Sequence, residues 1–197
     1  LIFQPAEEGV RGAKAMTAAG VVDDVDMLVD FHFFSGWARG EIVSGIEGFA
    51  ATRKFDAVFY GQPAHAGGSP QMGKNALLAA STAVLNLYAI PRHSSGATRI
   101  NVGRMSAGSG RNVIPAEAHL VIETRGETGA LSAYMYEQAQ RVLHAAAEMY
   151  DCHLEVRPMG AAESAGSDRA LMLRVEAAAR TVGGFHVLPS FVSGGSE

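Results

Sequence analysis

The sequence predicts an α/β protein that includes a ferredoxin-like β-α-β-β-α-β unit. Apolar runs of strand length alternate along the chain with segments whose apolar residues recur at helical spacing. In the central part of the chain, four strand-like and two helix-like segments follow one another in the order of that unit. The 197 residues are 48% hydrophobic and 18% charged, which is ordinary globular composition and enough to bury a core.

The central unit is predicted from the period of its apolar residues. Residues 52–60 carry an apolar side chain at every second position from Phe55 to Phe59, which is typical of a half-buried strand. Residues 75–90 place apolar side chains, among them Leu77 and Leu87, on one side of a helix. The same reasoning predicts the remaining elements, namely strands at 99–105, 118–124 and 153–159 and a helix at 130–150.

The segments on either side of this unit are predicted to belong to one further domain with a mixed or parallel sheet. We expect strands at 1–3 and 27–34 and a helix at 12–19, followed after the central unit by a helix at 168–182 and a short strand at 185–192. The domain boundaries are therefore predicted at 1–50, 51–162 and 163–197. The chain starts inside an apolar run and stops shortly after two glycines, so we expect it to be the central part of a longer protein.

Two adjacent carboxylates, Glu7 and Glu8, follow the first predicted strand. Loops at the carboxyl ends of strands line the ligand crevice in open α/β sheets. Neighbouring side chains of an extended segment point in opposite directions, which would let the two glutamates have different roles. Taken alone, an acidic dipeptide is more often a solvated surface pair, so the residues themselves leave both interpretations open.

Composition excludes several functional classes. A formal net charge of −4 and a pI near 6.0 give no basic surface for nucleic acid, and no apolar run is long enough to cross a bilayer. We therefore expect a small-molecule substrate and protein partners, with no nucleic acid and no membrane. The single cysteine, Cys152, cannot form an internal disulfide, which is compatible with the cytoplasmic location that we expect.

Two catalytic signatures are incomplete. The stretch from Arg104 to Gly108 has arginine where the nucleophile elbow of a serine hydrolase requires glycine. The glycines of residues 106–110 are not followed by the Lys-Ser/Thr ending of a phosphate-binding P-loop. Neither serine nucleophile chemistry nor nucleotide binding is therefore predicted.

Three sequence strings resemble motifs of the M20 family of metal-dependent amidohydrolases and peptidases, in its amidohydrolase branch. They are Gln-Pro-Ala-Glu-Glu-Gly at 4–9, Pro-Ala-His-Ala-Gly at 63–67 and Gly-Arg-Asn-Val-Ile-Pro at 110–115. The resemblance extends over nearly the whole chain. It implies a catalytic domain formed by 1–50 and 163–197 and an inserted lid domain, 51–162, through which M20 proteins dimerise.

The resemblance also implies roles for five residues in hydrolysis of the amide bond of an N-acyl amino acid. Glu7 would be the general base, and Glu8 and His32 would be ligands in a site for two divalent ions, Zn or Mn. His65 would reach across a dimer into the site of the partner and polarise the scissile carbonyl. Asn112 of the third string would contact the substrate carboxylate. Arg111 beside it could pair with an acidic side chain of the substrate, which rests on guanidinium chemistry and not on the resemblance, and arginine is also common at surfaces.

Alternatives remain at this stage. Without the resemblance, His32 in an apolar strand is more often a core residue than a ligand, and His65 in a glycine- and proline-rich loop is more often solvated. The reaction could be that of a hippurate or auxin-conjugate hydrolase or of an aminoacyl exopeptidase. The chain could also act only as a dimerisation and binding module, since the resemblance places the remaining metal ligands outside it. Its partner could be an identical chain or a related second subunit.

Overall fold

The computed structural model describes residues 1–33 and 35–193, and the chain divides into two units. One consists of Leu1–Ala50 with Ser164–Glu197, and the other of Ala51–Glu163. We call them the flanking unit and the central unit. In chain order the elements are α1 Gly12–Ala18, β1 Glu41–Val43, β2 Ile46–Gly48, β3 Ala51–Tyr60, α2 Ala76–Tyr88, β4 Thr98–Ala107, β5 Glu117–Gly126, α3 Gly129–Met149, β6 His153–Ala162, α4 Arg169–Val182, β7 His186–Leu188 and β8 Phe191–Val192.

The central unit is a four-stranded antiparallel sheet with two helices, and its β3-α2-β4-β5-α3-β6 order confirms the predicted ferredoxin-like motif. The strands lie in the order β4-β5-β3-β6, so β4 and β6 form the edges. Register is continuous between β3 and β5, from Ala51 opposite Gly126 to Tyr60 opposite Glu117. The alternation of apolar side chains that predicted β3 arises because one face of the sheet packs against helices, and side chains two residues apart in a strand share a face.

One hydrophobic core holds this unit together. Alternate residues of the central strands meet small and apolar residues of the helices, and the fully buried members include Phe55, Phe59, Leu120, Ile122, Ala79, Ala83, Leu87, Met135 and Leu143. Alanines at the buried positions of α2 let its backbone approach the sheet closely, since they add little side-chain thickness. The core fixes the strand ends from which the loops of the central unit emerge.

Side-chain caps set where the helices begin. The Asn75 side chain accepts a hydrogen bond from Leu78 N at 3.1 Å, so α2 starts at Ala76, one residue later than predicted. Asp168 likewise accepts from Leu171 N at 2.8 Å, so α4 starts after the predicted first residue. Each cap satisfies an amide that has no partner inside its helix. No helix in the described part of the chain combines the length and apolar character needed to span a bilayer.

The flanking unit contains two short parallel strand pairs, β1 with β7 and β2 with β8. The predicted strand at 185–192 is therefore two strands separated by residues 189–190. Strands β1 and β2 were not predicted, because a strand of three residues is too short for an alternation of apolar and polar side chains to be recognised. The Ser167 hydroxyl accepts a hydrogen bond from Ile46 N at 3.0 Å, which joins the two chain segments of this unit.

The predictions of strands at 1–3 and 27–34 were wrong for the residues that the structure describes. Residues 1–3 and 27–33 have no strand pairing, and Phe34 lies outside the described residues. A strand requires a neighbour for its backbone N–H and C=O groups, and the described part of the chain supplies none to these two segments. Their apolar side chains, including Phe3 and Phe31, are exposed as a result.

Candidate functional site

The acidic pair lies in a tight turn rather than in an extended segment. Val10 N donates to Glu7 O at 2.7 Å, and the positive φ angles of Ala6 and Val10, 54° and 52°, reverse the chain on either side of the glutamates. The expectation that Glu7 and Glu8 alternate along an extended backbone was therefore wrong. Both glutamates are exposed, and the turn leads directly into α1.

His32 lies in the flanking unit, beside an acidic residue. Its Nε2 atom is 3.3 Å from Oδ2 of Asp30, and the other carboxylate oxygen of Asp30 accepts a hydrogen bond from Phe31 N at 2.7 Å. A carboxylate next to an imidazole is the arrangement that commonly orients a metal-binding histidine. The pairing follows from the i, i+2 spacing of the two side chains.

The donor atoms of the flanking unit fit a divalent ion in kind but not in number. Carboxylate oxygen from Glu8 and imidazole nitrogen from His32 both suit Zn or Mn. A catalytic zinc site normally takes three protein ligands, however, and residues 1–33 and 35–193 contain no group of three or more His, Cys, Asp or Glu side chains placed to hold a metal ion. Glu8 and His32 are therefore fewer than the protein ligands that such a site takes.

Two loops of the central unit pair with each other and bring His65 close to Arg111 and Asn112 in the fold. Ala66 N donates to Asn112 O, and Ile114 N donates to Ala64 O, both at 2.9 Å. These bonds flank an isolated antiparallel bridge between His65 and Val113. His65, Arg111 and Asn112 are all exposed and hence accessible to a ligand. Two of the three strings singled out in the sequence thus form one structural feature, which we call the paired loops.

The imidazole of His65 contacts the backbone of its own loop. Its Nδ1 atom lies 2.9 Å from Gly68 N and 3.2 Å from Gly67 N, and both amides are in hydrogen-bonding geometry. Sequence reasoning did not assign a role to these two glycines. The signal that could have found them is their position directly after His-Ala, where a Cβ at Gly68 would crowd the ring.

A second short ladder closes the base of the His65 loop. Gln62 N donates to Lys74 O at 3.0 Å, and Lys74 N donates to Gln62 O at 2.9 Å. Gly61 N bonds to Ala116 O at 2.7 Å, which ties this base to the other paired loop. The Lys74 ammonium is 2.6 Å from the Asp151 carboxylate, so the loop is also held by an ion pair close to the end of α3. His65 therefore projects from a loop that is fixed at its base and along its length.

The resolved pKa shifts lie outside the predicted site. Burial, reinforced by the charge of Asp151, raises the pKa of the Cys152 thiol, and the Lys74 ammonium only partly offsets the increase. Cys152 is therefore protonated at neutral pH and poorly suited to be a nucleophile. On β6, a hydrogen bond from Arg157 lowers the pKa of the half-exposed Glu155 carboxyl.

Comparison with known proteins identifies the family. The model of a peptidase dimerisation domain of the M20 family matches residues 22–151. Over 164 residues the chain is 57% identical to the indole-3-acetyl-aspartic acid hydrolase of Enterobacter agglomerans, a match that covers 83% of this chain and 38% of the relative. Over 162 residues it is 56% identical to one subunit of the p-aminobenzoyl-glutamate hydrolase of Escherichia coli, covering 82% of this chain and 37% of that protein.

A solved structure gives the same result. The crystal structure of an aminobenzoyl-glutamate utilization protein from Klebsiella pneumoniae superimposes with a TM-score of 0.87 and 51% sequence identity, covering 100% of this chain and 51% of that one. The chain thus spans about half, or less, of the length of these relatives. The match of the domain model over most of the sequence shows that the chain belongs to the M20 peptidase family.

Proposed function

We propose that the full-length protein hydrolyses the amide bond that links an aromatic acyl group to an acidic amino acid, with p-aminobenzoyl-glutamate as the first candidate. The observation that carries the proposal is the pairing of the two loops, whose main-chain hydrogen bonds bring the His65 segment alongside the segment that contains Arg111 and Asn112. The names of the two relatives support the substrate class, because both describe an aromatic acyl group on aspartate or glutamate.

Four residues have proposed roles in the chemistry. Glu7 takes a proton from the attacking water and returns it to the leaving amine, a role that typically contributes roughly 10²- to 10⁴-fold in rate. Glu8 and His32 would hold a divalent ion, which when bound supplies Lewis-acid polarisation of the substrate carbonyl. His65 donates a hydrogen bond to the oxygen of that carbonyl as negative charge develops on it.

Recognition of the substrate carboxylates is proposed for the other paired loop. A guanidinium can bind a carboxylate through two parallel hydrogen bonds, and an amide NH₂ adds a neutral donor. Arg111 and Asn112 provide these groups next to His65, so a substrate gripped by them would have its scissile amide near the imidazole. A substrate without an acidic side chain would lose one of the contacts, which gives the proposed preference for glutamate or aspartate.

The proposal includes an assembly in which the lid of one chain completes the site of another. Helix α2 exposes the apolar residues Leu78, Leu85 and Tyr88, and the Tyr88 hydroxyl accepts a hydrogen bond from Val102 N of the edge strand β4 at 3.0 Å. A strand at the edge of a sheet, next to an apolar helix face, is suited to pairing with another chain. A second copy or a related subunit would fit, and the Escherichia coli relative is itself named as one subunit of its hydrolase.

The assembly is tested by size and activity together. Leu85→Glu in the full-length protein is expected to shift the assembly towards monomer in analytical ultracentrifugation, because it places a charge in an apolar interface. The same change should lower hydrolysis in parallel, since His65 would no longer reach a partner. Glu137→Gln, on α3, is the surface control. An unchanged dimer in Leu85→Glu would show that this helix face is not the contact.

The role of Glu7 is tested in the full-length enzyme with p-aminobenzoyl-glutamate, indole-3-acetyl-aspartate and hippurate as substrates. Glu7→Gln keeps the size of the side chain and removes the base, so turnover should fall by at least about 10²-fold with metal content unchanged. Glu8→Gln is the matched control on the neighbouring residue and should lose metal. Retained turnover in Glu7→Gln would remove Glu7 as the base.

A binding and dimerisation module is the second candidate, because the dimerisation-domain model alone accounts for residues 22–151. The two functions differ in a measurable way. Under the hydrolase proposal, the full-length protein binds metal tightly and cleaves the substrates, whereas the 197-residue chain alone binds metal weakly and cleaves none. Absence of both metal and hydrolysis from the full-length protein would favour the module.

A further inference from the structure

We propose that the backbone N–H groups of Gly67 and Gly68 hold the His65 imidazole in its Nε2–H tautomer, so that Nε2 is available only as a hydrogen-bond donor. Both amide nitrogens lie within hydrogen-bonding distance of Nδ1, Gly68 at 2.9 Å and Gly67 at 3.2 Å. A backbone N–H can donate but cannot accept. Nδ1 must therefore be the acceptor, and the proton of the neutral ring must reside on Nε2.

The fold places these two amides next to Nδ1 of the ring. Directly after His65 the chain turns, and Gly68 N and Ser69 N both lie within hydrogen-bonding distance of His65 O, at 3.2 and 3.0 Å. The Gly68 N–H is thus shared between the carbonyl oxygen and the imidazole of the same residue. On the other side, the bridge to Val113 fixes the His65 backbone. The ring is therefore held between a strand-like segment and a tight turn, and its tautomer follows from backbone geometry.

The need for glycine differs between the two positions. A Cβ built on Gly68 would lie 3.2 Å from His65 Nδ1, which is closer than ordinary van der Waals contact, so the ring would have to move by a few tenths of an ångström and its hydrogen bonds to the amides would lengthen. A Cβ on Gly67 would lie 3.6 Å from Cε1, which is an ordinary contact. Gly68→Ala should therefore displace the imidazole from its amide donors, whereas Gly67→Ala should leave it in place. The two alanine variants form a matched pair.

The consequence for catalysis rests on the proposed function. An oxyanion is stabilised by a preorganised donor and repelled by a lone pair, so the Nδ1–H tautomer, which turns the Nε2 lone pair outward, would be inactive in this role. The amides of Gly67 and Gly68 remove that alternative before the substrate binds. On this account the two glycines are positioning residues that act through His65.

The tautomer can be observed directly in the 197-residue chain. With ¹⁵N-labelled histidine, long-range ¹H–¹⁵N spectra at neutral pH distinguish protonated from unprotonated ring nitrogens, and His65→Gln identifies the signals of this ring by their loss. We expect an unprotonated Nδ1 and a protonated Nε2 at His65 in the native chain and in Gly67→Ala. Gly68→Ala should show averaging between the two tautomers. A protonated Nδ1 in the native chain, or an unaltered spectrum in Gly68→Ala, would overturn the proposal.

Kinetics of the full-length enzyme separate this inference from the proposed function. Gly68→Ala should lower kcat by about 10-fold or more with little change in KM, approaching the roughly 10²- to 10³-fold loss seen when an oxyanion donor is removed, while the surface control Glu137→Gln stays within about 2-fold of the native enzyme. If the spectra show the Nε2–H tautomer but His65→Gln keeps full activity, the oxyanion role of His65 fails and the tautomer assignment stands. If His65→Gln is inactive and Gly68→Ala is fully active, the positioning role fails alone.

Discussion

Replacing Gly61 with alanine should destabilise the central unit by disrupting the base of the His65 loop. A Cβ at Gly61 would clash with the Lys74 carbonyl oxygen and would lie 2.9 Å from the Lys74 carbonyl carbon and 3.3 Å from Ala76 N. All three are backbone atoms, which cannot rotate away from the new methyl group. The backbone must therefore separate at the point where Gln62 and Lys74 exchange two hydrogen bonds.

The size of the effect follows from the bonds at risk. Each of the two bonds between Gln62 and Lys74 contributes about 0.5–1.5 kcal/mol net. The clash also reaches the first residue of α2, whose cap from Asn75 contributes about 1 kcal/mol. We therefore expect Gly61→Ala to lower the free energy of unfolding by about 2–4 kcal/mol.

Urea denaturation of the 197-residue chain, followed by far-UV circular dichroism, measures the loss. A decrease of this size should lower the unfolding midpoint of the central unit by about 1–2 M at an unchanged slope. Gly103→Ala is the control, because a Cβ there would meet its nearest neighbour, the side-chain nitrogen of Asn101, at 3.6 Å. A Gly61→Ala midpoint equal to that of Gly103→Ala would refute the reasoning, since it would show that the loop base yields without cost.

Further predictions concern the core and the cysteine of the same unit. Leu120→Ala should cost about 2–5 kcal/mol in urea unfolding because the side chain is fully buried, whereas Met149→Ala, at a position 68% exposed, should change stability by about 0.5 kcal/mol or less. Equal costs would contradict the assigned core. Alkylation of Cys152 by iodoacetamide should reach half its maximal rate at higher pH in the folded chain than in urea, because burial disfavours the thiolate. Asp151→Asn should lower the pH at which the alkylation rate is half-maximal, since it removes a neighbouring negative charge, and Lys74→Gln should raise that pH. No response to either change would mean that the thiol does not experience these charges.

The central unit could be predicted from the sequence because its elements carry their own signals. The alternation in β3 and the spacing of Ala80, Val84 and Leu87 in α2 both arise from burial of one face against the same core, whereas Leu77, predicted on the same face, is only half-buried. The exact first and last residues of these elements depend on contacts that the spacing of apolar residues does not reveal. The Asn75 side chain, for example, sets the first residue of α2 by accepting a hydrogen bond.

The flanking unit was predicted less well, because its apolar segments depend on partners from elsewhere. Residues 1–3 and 27–33 have the composition of strands, but a strand forms only where a neighbour supplies hydrogen bonds. The turn at Glu7 and Glu8 depends on positive φ at Ala6 and Val10, which neither residue type favours. The roles of Glu7, Glu8, His32, His65, Arg111 and Asn112 stay predictions.

The pairing of the two loops has a practical meaning for redesign. Positions 64–66 and 112–114 are distant in sequence, yet hydrogen bonds join their main chains on both sides of a common bridge. A library that varies residues 110–115 to admit a different amino acid would therefore also shift His65, the residue proposed to act on the scissile bond. Selectivity and turnover should rise and fall together in such variants, and pairs of changes, one in each segment, would be needed to tune them independently.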